Sequence, residues 1–296
     1  MSESAAEEIY LSIIISFYNE EARIERTLKV IDEFVHSVDY RCEVILSDDK
    51  STDRSIEIAK KYSSEIDHFR YLEPKVHEPK GKGAGIQRGF ADAKGKYVMF
   101  MDADNSTPIT EITKLMPYIG DYDIVLGSRY IENPIPYKPS WLSGVFRGLK
   151  SIVEVIIFGH AKNYTAKGKQ GRFRQLVSRG GNFLFTIFLN QSYVDQRCGF
   201  KLYKNEVAKL LASLQTLPGF GFDTEYLTIA QKFRLKMIEV PVEWIDEEGS
   251  KVGNSAILSS FKDIFVVLRN NFGGKYSKKH AKRKLGDKFS EYIISK

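Results

Sequence analysis

Two carboxylates one residue apart, Asp102 and Asp104, close the run Tyr97-Val-Met-Phe-Met-Asp-Ala-Asp-Asn-Ser106. The apolar part has the length and composition of a buried strand. Side chains alternate along a strand, so both carboxylates project from the same side as the chain leaves the sheet. In open α/β folds ligands bind at the carboxyl ends of strands. Two hard oxygen donors there suit Mg²⁺ or Mn²⁺, which commonly also bind substrate phosphates. A polar turn that merely ends a strand has the same spacing, so the rest of the chain must decide.

Other polar clusters also follow apolar runs. Ser16-Phe-Tyr18-Asn-Glu20 follows the first, Ser47-Asp-Asp49-Lys-Ser-Thr-Asp53 the second, and Gly127-Ser-Arg129 a later one. Gly81-Lys82-Gly83-Ala84-Gly85 precedes a helical pattern. Polar groups gathered at several strand ends form one cleft. Asp49 can accept from the imide N–H of a base, the glycines let backbone approach a ligand, and Lys82 adds a charge for phosphate. Two common nucleotide motifs fail. Gly83-Ala-Gly85-Ile-Gln-Arg-Gly89 has the wrong final spacing for the dinucleotide fingerprint, and no Gly-x-x-x-x-Gly-Lys-Ser/Thr occurs.

The elements that must position these groups alternate over residues 1–130. Strands are expected at Leu11–Phe17, Cys42–Leu46, near His68–Leu72, at Tyr97–Met101 and at Asp123–Leu126. Helices are expected from an Asn19 cap through Val35, at Ile56–Tyr62 after the caps Ser51, Thr52 and Asp53, and from Gly81 to Ala93. This order predicts an α/β fold, a mostly parallel sheet covered on both faces. From 131 to 171 prolines and basic residues break the pattern, and this irregular insertion reads as acceptor- or membrane-facing or as a plain surface excursion, with Trp141–Phe158 able to hold one amphipathic helix. Helices follow at Phe173–Leu189, Asn205–Leu214, Phe222–Phe233 and Ile257–Phe272, with a strand at Met237–Trp244. The partition is a disordered 1–9, a catalytic domain over 10–250, a C-terminal amphipathic helix over 251–274 and a basic tail over 275–296.

Composition narrows the setting. The 296 residues are 43% hydrophobic and 28% charged, and no run reaches the ~20 apolar residues of a membrane span. The acidic N-terminus does not read as a signal peptide. Cys42 and Cys198 are too few for a disulfide framework and read as buried thiols in a cytoplasmic protein. The net charge of +6 gathers partly in the tail, which is either a solvated face or a binder of anionic lipid. No signature supports nucleic-acid binding. Apolar patches at 183–189 and 261–268 are either core or a surface on a membrane, peripheral on its cytoplasmic face.

Taken together, Ser12–Glu20, Glu43–Asp53, Gly81–Gly89, Tyr97–Ser106 and Gly127–Arg129 resemble the family 2 glycosyltransferases with their GT-A fold. Asp195-Gln-Arg-Cys-Gly-Phe-Lys-Leu-Tyr203, Gly221-Phe-Asp-Thr-Glu225 and Val240-Pro-Val-Glu-Trp244 through Gly249-Ser-Lys251 narrow the resemblance to the dolichyl-phosphate glucosyltransferases, with the mannose synthases a more distant match. It covers roughly residues 10–272. Ser16-Phe17 stands where the family usually has Pro-Thr, and Lys50 where it usually has Gly.

The resemblance implies inverting transfer of a hexose from a nucleotide-diphosphate sugar, UDP-glucose first and GDP-mannose next, to a polyprenyl phosphate. Ser16, Tyr18, Glu20, Asp49, Lys82 and Asp102 then bind the donor, and Asp102 and Asp104 hold Mg²⁺ or Mn²⁺. A phosphate acceptor needs cations, for which Arg129, Arg179 and Lys251 are candidates. A hydroxyl acceptor, as in a soluble transferase acting on glycans, needs a base, for which Asp223 and Glu225 stand first and Asp195 behind. Asp223 as a helix cap, Asp195 as a backbone partner and Arg179 on a solvated helix are the structural alternatives. A nucleotide-sugar-binding module without turnover is the third reading, disfavoured by the full set of carboxylates.

Overall fold

A computed structural model describes residues 8–138, 183–245 and 254–288, with scattered positions between 140 and 167. The strands are β1 (Leu11–Phe17), β2 (Cys42–Asp48), β3 (Phe69–Leu72), β4 (Tyr97–Asp102), β5 (Ile124–Ser128), β6 (Ile135–Pro136), β7 (Ala166–Lys167), β8 (Phe200–Lys204), β9 (Met237–Pro241) and β10 (Trp244–Ile245). An eight-stranded sheet runs β3-β2-β1-β4-β8-β5-β9-β6, and β10 pairs separately with β7. The pairings β1–β2, β1–β4, β2–β3 and β5–β9 are parallel. β8 and β6 run antiparallel to their neighbours. The expected mostly parallel sheet is present, but β8 is a strand that the sequence reading left as a motif. Phe200, Lys201, Leu202 and Tyr203 are all buried, so Phe-Lys-Leu-Tyr-Lys carries no clean apolar–polar alternation to mark it as a strand.

Both faces of the sheet are buried, which is why its strands read as continuous apolar runs. Ile13, Ile15, Val44 and Leu46 belong to one core with α1 (Ile24–Ser37) and Ile112 and Leu115 of the short helix α4 (Ile112–Leu115). Ile14 and Ile45 face the other core, with α3 (Lys82–Asp92), α5 (Asn205–Leu214) and α6 (Phe222–Lys232). The alternation of adjacent isoleucines between two cores pins the register, because a one-residue slip exchanges the faces. α2 (Ser55–Glu65) packs Ala59 and Tyr62 on the first core.

Several expectations are corrected. Asn19 does not cap a helix. It lies at φ 53°, and α1 starts at Ile24 with no side-chain cap. Its side chain accepts instead from Thr52 N at 2.7 Å, and its own N–H donates to Ser51 Oγ at 3.0 Å, so the two strand-end loops tie each other. The expected Met237–Trp244 strand divides, since Val242 and Glu243 turn the chain from β9 into β10. The C-terminal helix α7 (Asn254–Phe272) is followed by α8 (Lys278–Leu285). The basic segment therefore begins as a docked helix, with Tyr276 and Ala281 buried. Most of the 131–171 insertion and the first part of the helix expected at Phe173–Leu189 lie outside the described residues, although 183–189 are helical. Cys42 and Cys198 are free, buried thiols, and burial raises each to about 12.

The two apolar patches divide between core and surface. Phe185, Leu189, Ile264 and Val267 are buried, whereas Phe188 is 48% and Phe265 66% exposed, with ring centroids 6.5 Å apart. No helix among the described residues is long and apolar enough to cross a membrane.

Candidate active site

The chain turns away in opposite directions from β1 and β4, the position where open α/β sheets bind ligands. In register, Ser16 lies between Ser47 of β2 and Asp102 of β4. Three strand ends thus present polar groups at one level.

At the β2 end the two aspartates have different tasks. Asp48 accepts from the N–H groups of Lys50 and Ser51, both at 3.0 Å, and shapes the loop. Asp49 accepts from Gly81 N at 2.5 Å and is 7% exposed. Burial raises its carboxyl above the ordinary value, against the pull of the Gly81 N–H and Lys80. Gly81 sits at φ 142°, and a side chain there would strike the Pro218 carbonyl. That position therefore needs glycine. Tyr18 is exposed, with Lys80 Nζ 3.6 Å from its ring centroid.

At the β4 end Lys82 pairs with Asp102. Burial alone would lower Lys82, but Asp102, Asp223 and Asp104 hold it above its ordinary value. Asp104 accepts from Ser106 N at 3.0 Å and faces Arg23 at 3.9 Å, while Arg23 bonds Glu20 at 2.6 Å. Glu20 is thereby tied to the carboxylate pair through Arg23, a residue the sequence reading did not single out. Ser16 Oγ lies 3.4 Å from the Lys82 carbonyl. A Cβ at Gly199 would land on the Asp102 carboxylate, and Gly199 O accepts from Asp102 N at 3.1 Å. Gly199 is thus a supporting residue whose only signal was its place in the Cys-Gly-Phe-Lys motif.

The residues proposed for acceptor chemistry lie in three places. Arg129 forms a two-pronged pair with Asp195, Nε–Oδ2 2.7 Å and Nη2–Oδ1 2.8 Å, beside the rings of Tyr130 and Trp244. Asp195 raises Arg129 well above its usual value despite burial. Asp223 is not a simple helix cap: it pairs at 2.6 Å with Lys201, which is 1% exposed and also donates to the Cys198 carbonyl at 2.7 Å. Glu225 is fully buried. It accepts from Thr216 N and Oγ1, Leu217 N at 2.9 Å and the Tyr276 hydroxyl at 2.6 Å. Where a base was expected, the structure places a sealed carboxylate holding four donors. Arg179 and Lys251 lie outside the described residues.

Asp102 and Asp104 offer hard oxygens, and the adjoining Asn105 Oδ1 is buried without a hydrogen-bond partner. This donor set fits Mg²⁺ or Mn²⁺ better than a softer metal. No group of three His, Cys, Asp or Glu side chains converges as a metal cage among the described residues, so substrate phosphate would have to complete the coordination.

Sheet order and switch-point carboxylates define the GT-A class of α/β glycosyltransferases. Glucosyl-3-phosphoglycerate synthase from Mycobacterium tuberculosis, solved with Mn²⁺, UDP-glucose and phosphoglyceric acid, shares the fold at TM-score 0.59 and 20% identity, covering 89% of this chain and 80% of that one. The family model for glycosyl transferase family 2 matches residues 12–211, and this chain belongs to that family. The Saccharomyces cerevisiae dolichyl-phosphate beta-glucosyltransferase is 30% identical over 88% of this chain and 75% of its own length. The Homo sapiens counterpart is 28% identical over 88% and 75%.

Proposed function

We propose that this glycosyltransferase moves glucose from UDP-glucose to a polyprenyl phosphate of the dolichyl type, with inversion. The observation that carries the reading is that Asp49 and Asp102, at the ends of the two strands flanking β1 at the switch point, hold two successive residues, Gly81 through its N–H and Lys82 through its ammonium. The similarity to dolichyl-phosphate glucosyltransferases supports the choice of donor and acceptor.

In this reading Asp49 accepts the imide N–H of the base. Gly83 and Gly85, expected to let backbone approach a ligand, lie buried in α3 where a Cβ would strike Phe222 and Ser16, so they serve close packing, and side chains must meet the diphosphate. Lys82 stands beside that diphosphate. Asp102 and Asp104 would hold Mg²⁺ or Mn²⁺, which when bound neutralises charge on the leaving group. The acceptor phosphate oxygen attacks the anomeric carbon, and the bond to the diphosphate breaks with its electron pair leaving on UDP. That oxygen is already anionic at pH 7, so no general base is needed. This agrees with the commitment of Asp223 to Lys201 and of Glu225 to its four donors.

The acceptor's chemistry also supports a peripheral place on a membrane surface. Leu142, Phe146, Leu149, Val153 and Ile156 are all exposed, at steps of four and three along helical positions. That spacing makes an apolar stripe suited to a lipid interface. Phe188 and Phe265 add a second outward pair.

The test is a donor panel of UDP-glucose and GDP-mannose with Mg²⁺ or Mn²⁺, with and without polyprenyl phosphate. Glucosyl transfer to the lipid phosphate is expected, abolished by chelator and cut at least about 100-fold by Asp104→Ala. Turnover indifferent to both refutes the metal assignment. Transfer only to a sugar hydroxyl refutes the acceptor.

A further inference from the structure

Lys50 lies in the left-handed region at φ 60°, which disfavours any residue with a Cβ. Its side chain spans to a separate segment: Nζ donates to the carbonyls of Glu78 at 2.7 Å and Val76 at 3.3 Å. That segment, residues 74–81, is held at three further points. Arg88 pairs with Glu78 at 2.5 Å and anchors itself on the Asp48 carbonyl at 2.6 Å. Lys80 lies over the Tyr18 ring, and Gly81 N–H donates to Asp49. The segment is therefore drawn against the one carboxylate placed to meet a base.

We propose that Lys50 is a positioning residue for the nucleotide base: it latches residues 74–81 against Asp49 and thereby favours uracil over guanine. The selection follows from counting donors and acceptors. Guanine offers two adjacent N–H groups, on N1 and the exocyclic amine, which suit both oxygens of a free carboxylate. Uracil offers a single imide N–H. With the Gly81 N–H already on Oδ1 at 2.5 Å, a second donor to that oxygen must share it, so Asp49 meets one further N–H better than two. Releasing the latch lets Gly81 withdraw, freeing both oxygens and making a nucleotide order the segment as it binds.

This inference rests on the donor reading above, and its test separates the two. Full-length protein and its Lys50→Gly and Lys50→Asn variants are titrated calorimetrically with UDP and with GDP in the presence of Mn²⁺. Glycine and asparagine both accept the left-handed backbone, so neither variant should lose thermal stability. Each removes the two carbonyl contacts. The expected result is about a tenfold rise in Kd for UDP, with a shrinking of the UDP-over-GDP preference. In steady state the donor KM should rise similarly, while kcat moves less than about twofold and the acceptor KM stays fixed. Unchanged UDP affinity and preference in both variants overturns the latch. Equal affinity of the unaltered protein for UDP and GDP overturns the donor reading and the base selection with it.

Discussion

Replacing Asp195 by asparagine keeps the side chain's shape and removes its charge. Three donors of Arg129 depend on that charge: N at 3.0 Å, Nε at 2.7 Å and Nη2 at 2.8 Å. Asp195 is 2% exposed and Arg129 14%, so water cannot take over. Breaking one side of such a buried pair costs about 3–5 kcal/mol, because the surviving ion loses this counter-charge where water does not reach it. Against a typical total of about 5–15 kcal/mol, the loss is a large fraction. For a chain of this size it corresponds to a fall in melting temperature of roughly 6–20 °C. The assay is equilibrium urea unfolding followed by tryptophan fluorescence, Trp244 lying 5.5 Å from the guanidinium. Converting both partners together, Arg129→Met with Asp195→Leu, should recover part of the stability, since an apolar pair strands no charge and loses only the acceptor of the residue-129 N–H. The opposite pattern refutes the reasoning. If Asp195→Asn folds within about 1 kcal/mol of the native chain and Arg129→Met raises only the acceptor KM, then the guanidinium meets substrate and is no strut.

Glu225→Gln should cost about 2–4 kcal/mol in the same unfolding assay, since an amide nitrogen then faces donors such as Leu217 N at 2.9 Å. A kcat loss of about 100-fold with stability intact would instead make Glu225 a base. Gly199→Ala should lower kcat/KM by about 100-fold with a modest stability change, because the new methyl displaces the Asp102 carboxylate and the Lys82 paired with it. Burial holds the Asp49 carboxyl above its ordinary value, so its ionisation in the folded state is penalised. That penalty is absent below the ordinary carboxylate range and complete above the raised value, so Asp49→Asn should leave stability at pH 7 unharmed. On the proposed reading UDP meets the ionised form, and calorimetry should then show affinity falling as pH drops through the raised value, at a higher pH than for an ordinary aspartate.

The strands of the first half were legible because they are buried on both faces: Leu11–Phe17 has one reading, an apolar run too short for a typical helix. Helix starts were less legible. Asn19 and Ser51 have the chemistry of caps, yet they bond each other across two loops, and asparagine at φ 53° serves a turn as readily as a cap; Asp53 does both, accepting from Ser55 N at the start of α2 with one oxygen and from Glu21 N with the other. β8 was missed because the local motif drew attention to Cys198 and Gly199, while its pairing with β4 and β5 depends on segments roughly a hundred residues away. The carboxylates at 49, 102 and 104 were visible as residue types at strand ends, and the switch point explains why they meet. What sequence does not carry is which charges cancel. Arg129 with Asp195, Lys201 with Asp223 and Lys82 with Asp102 are separated by 66, 22 and 20 residues, and no spacing rule joins them. A cation at a strand end looks available until its counter-ion arrives from a distant loop. The first two pairs are nearly sealed from water, so they hold the cleft's walls. On the proposed reading an acceptor phosphate is then met by cations outside them, and of the three expected for that role this leaves Arg179 and Lys251, both outside the described residues.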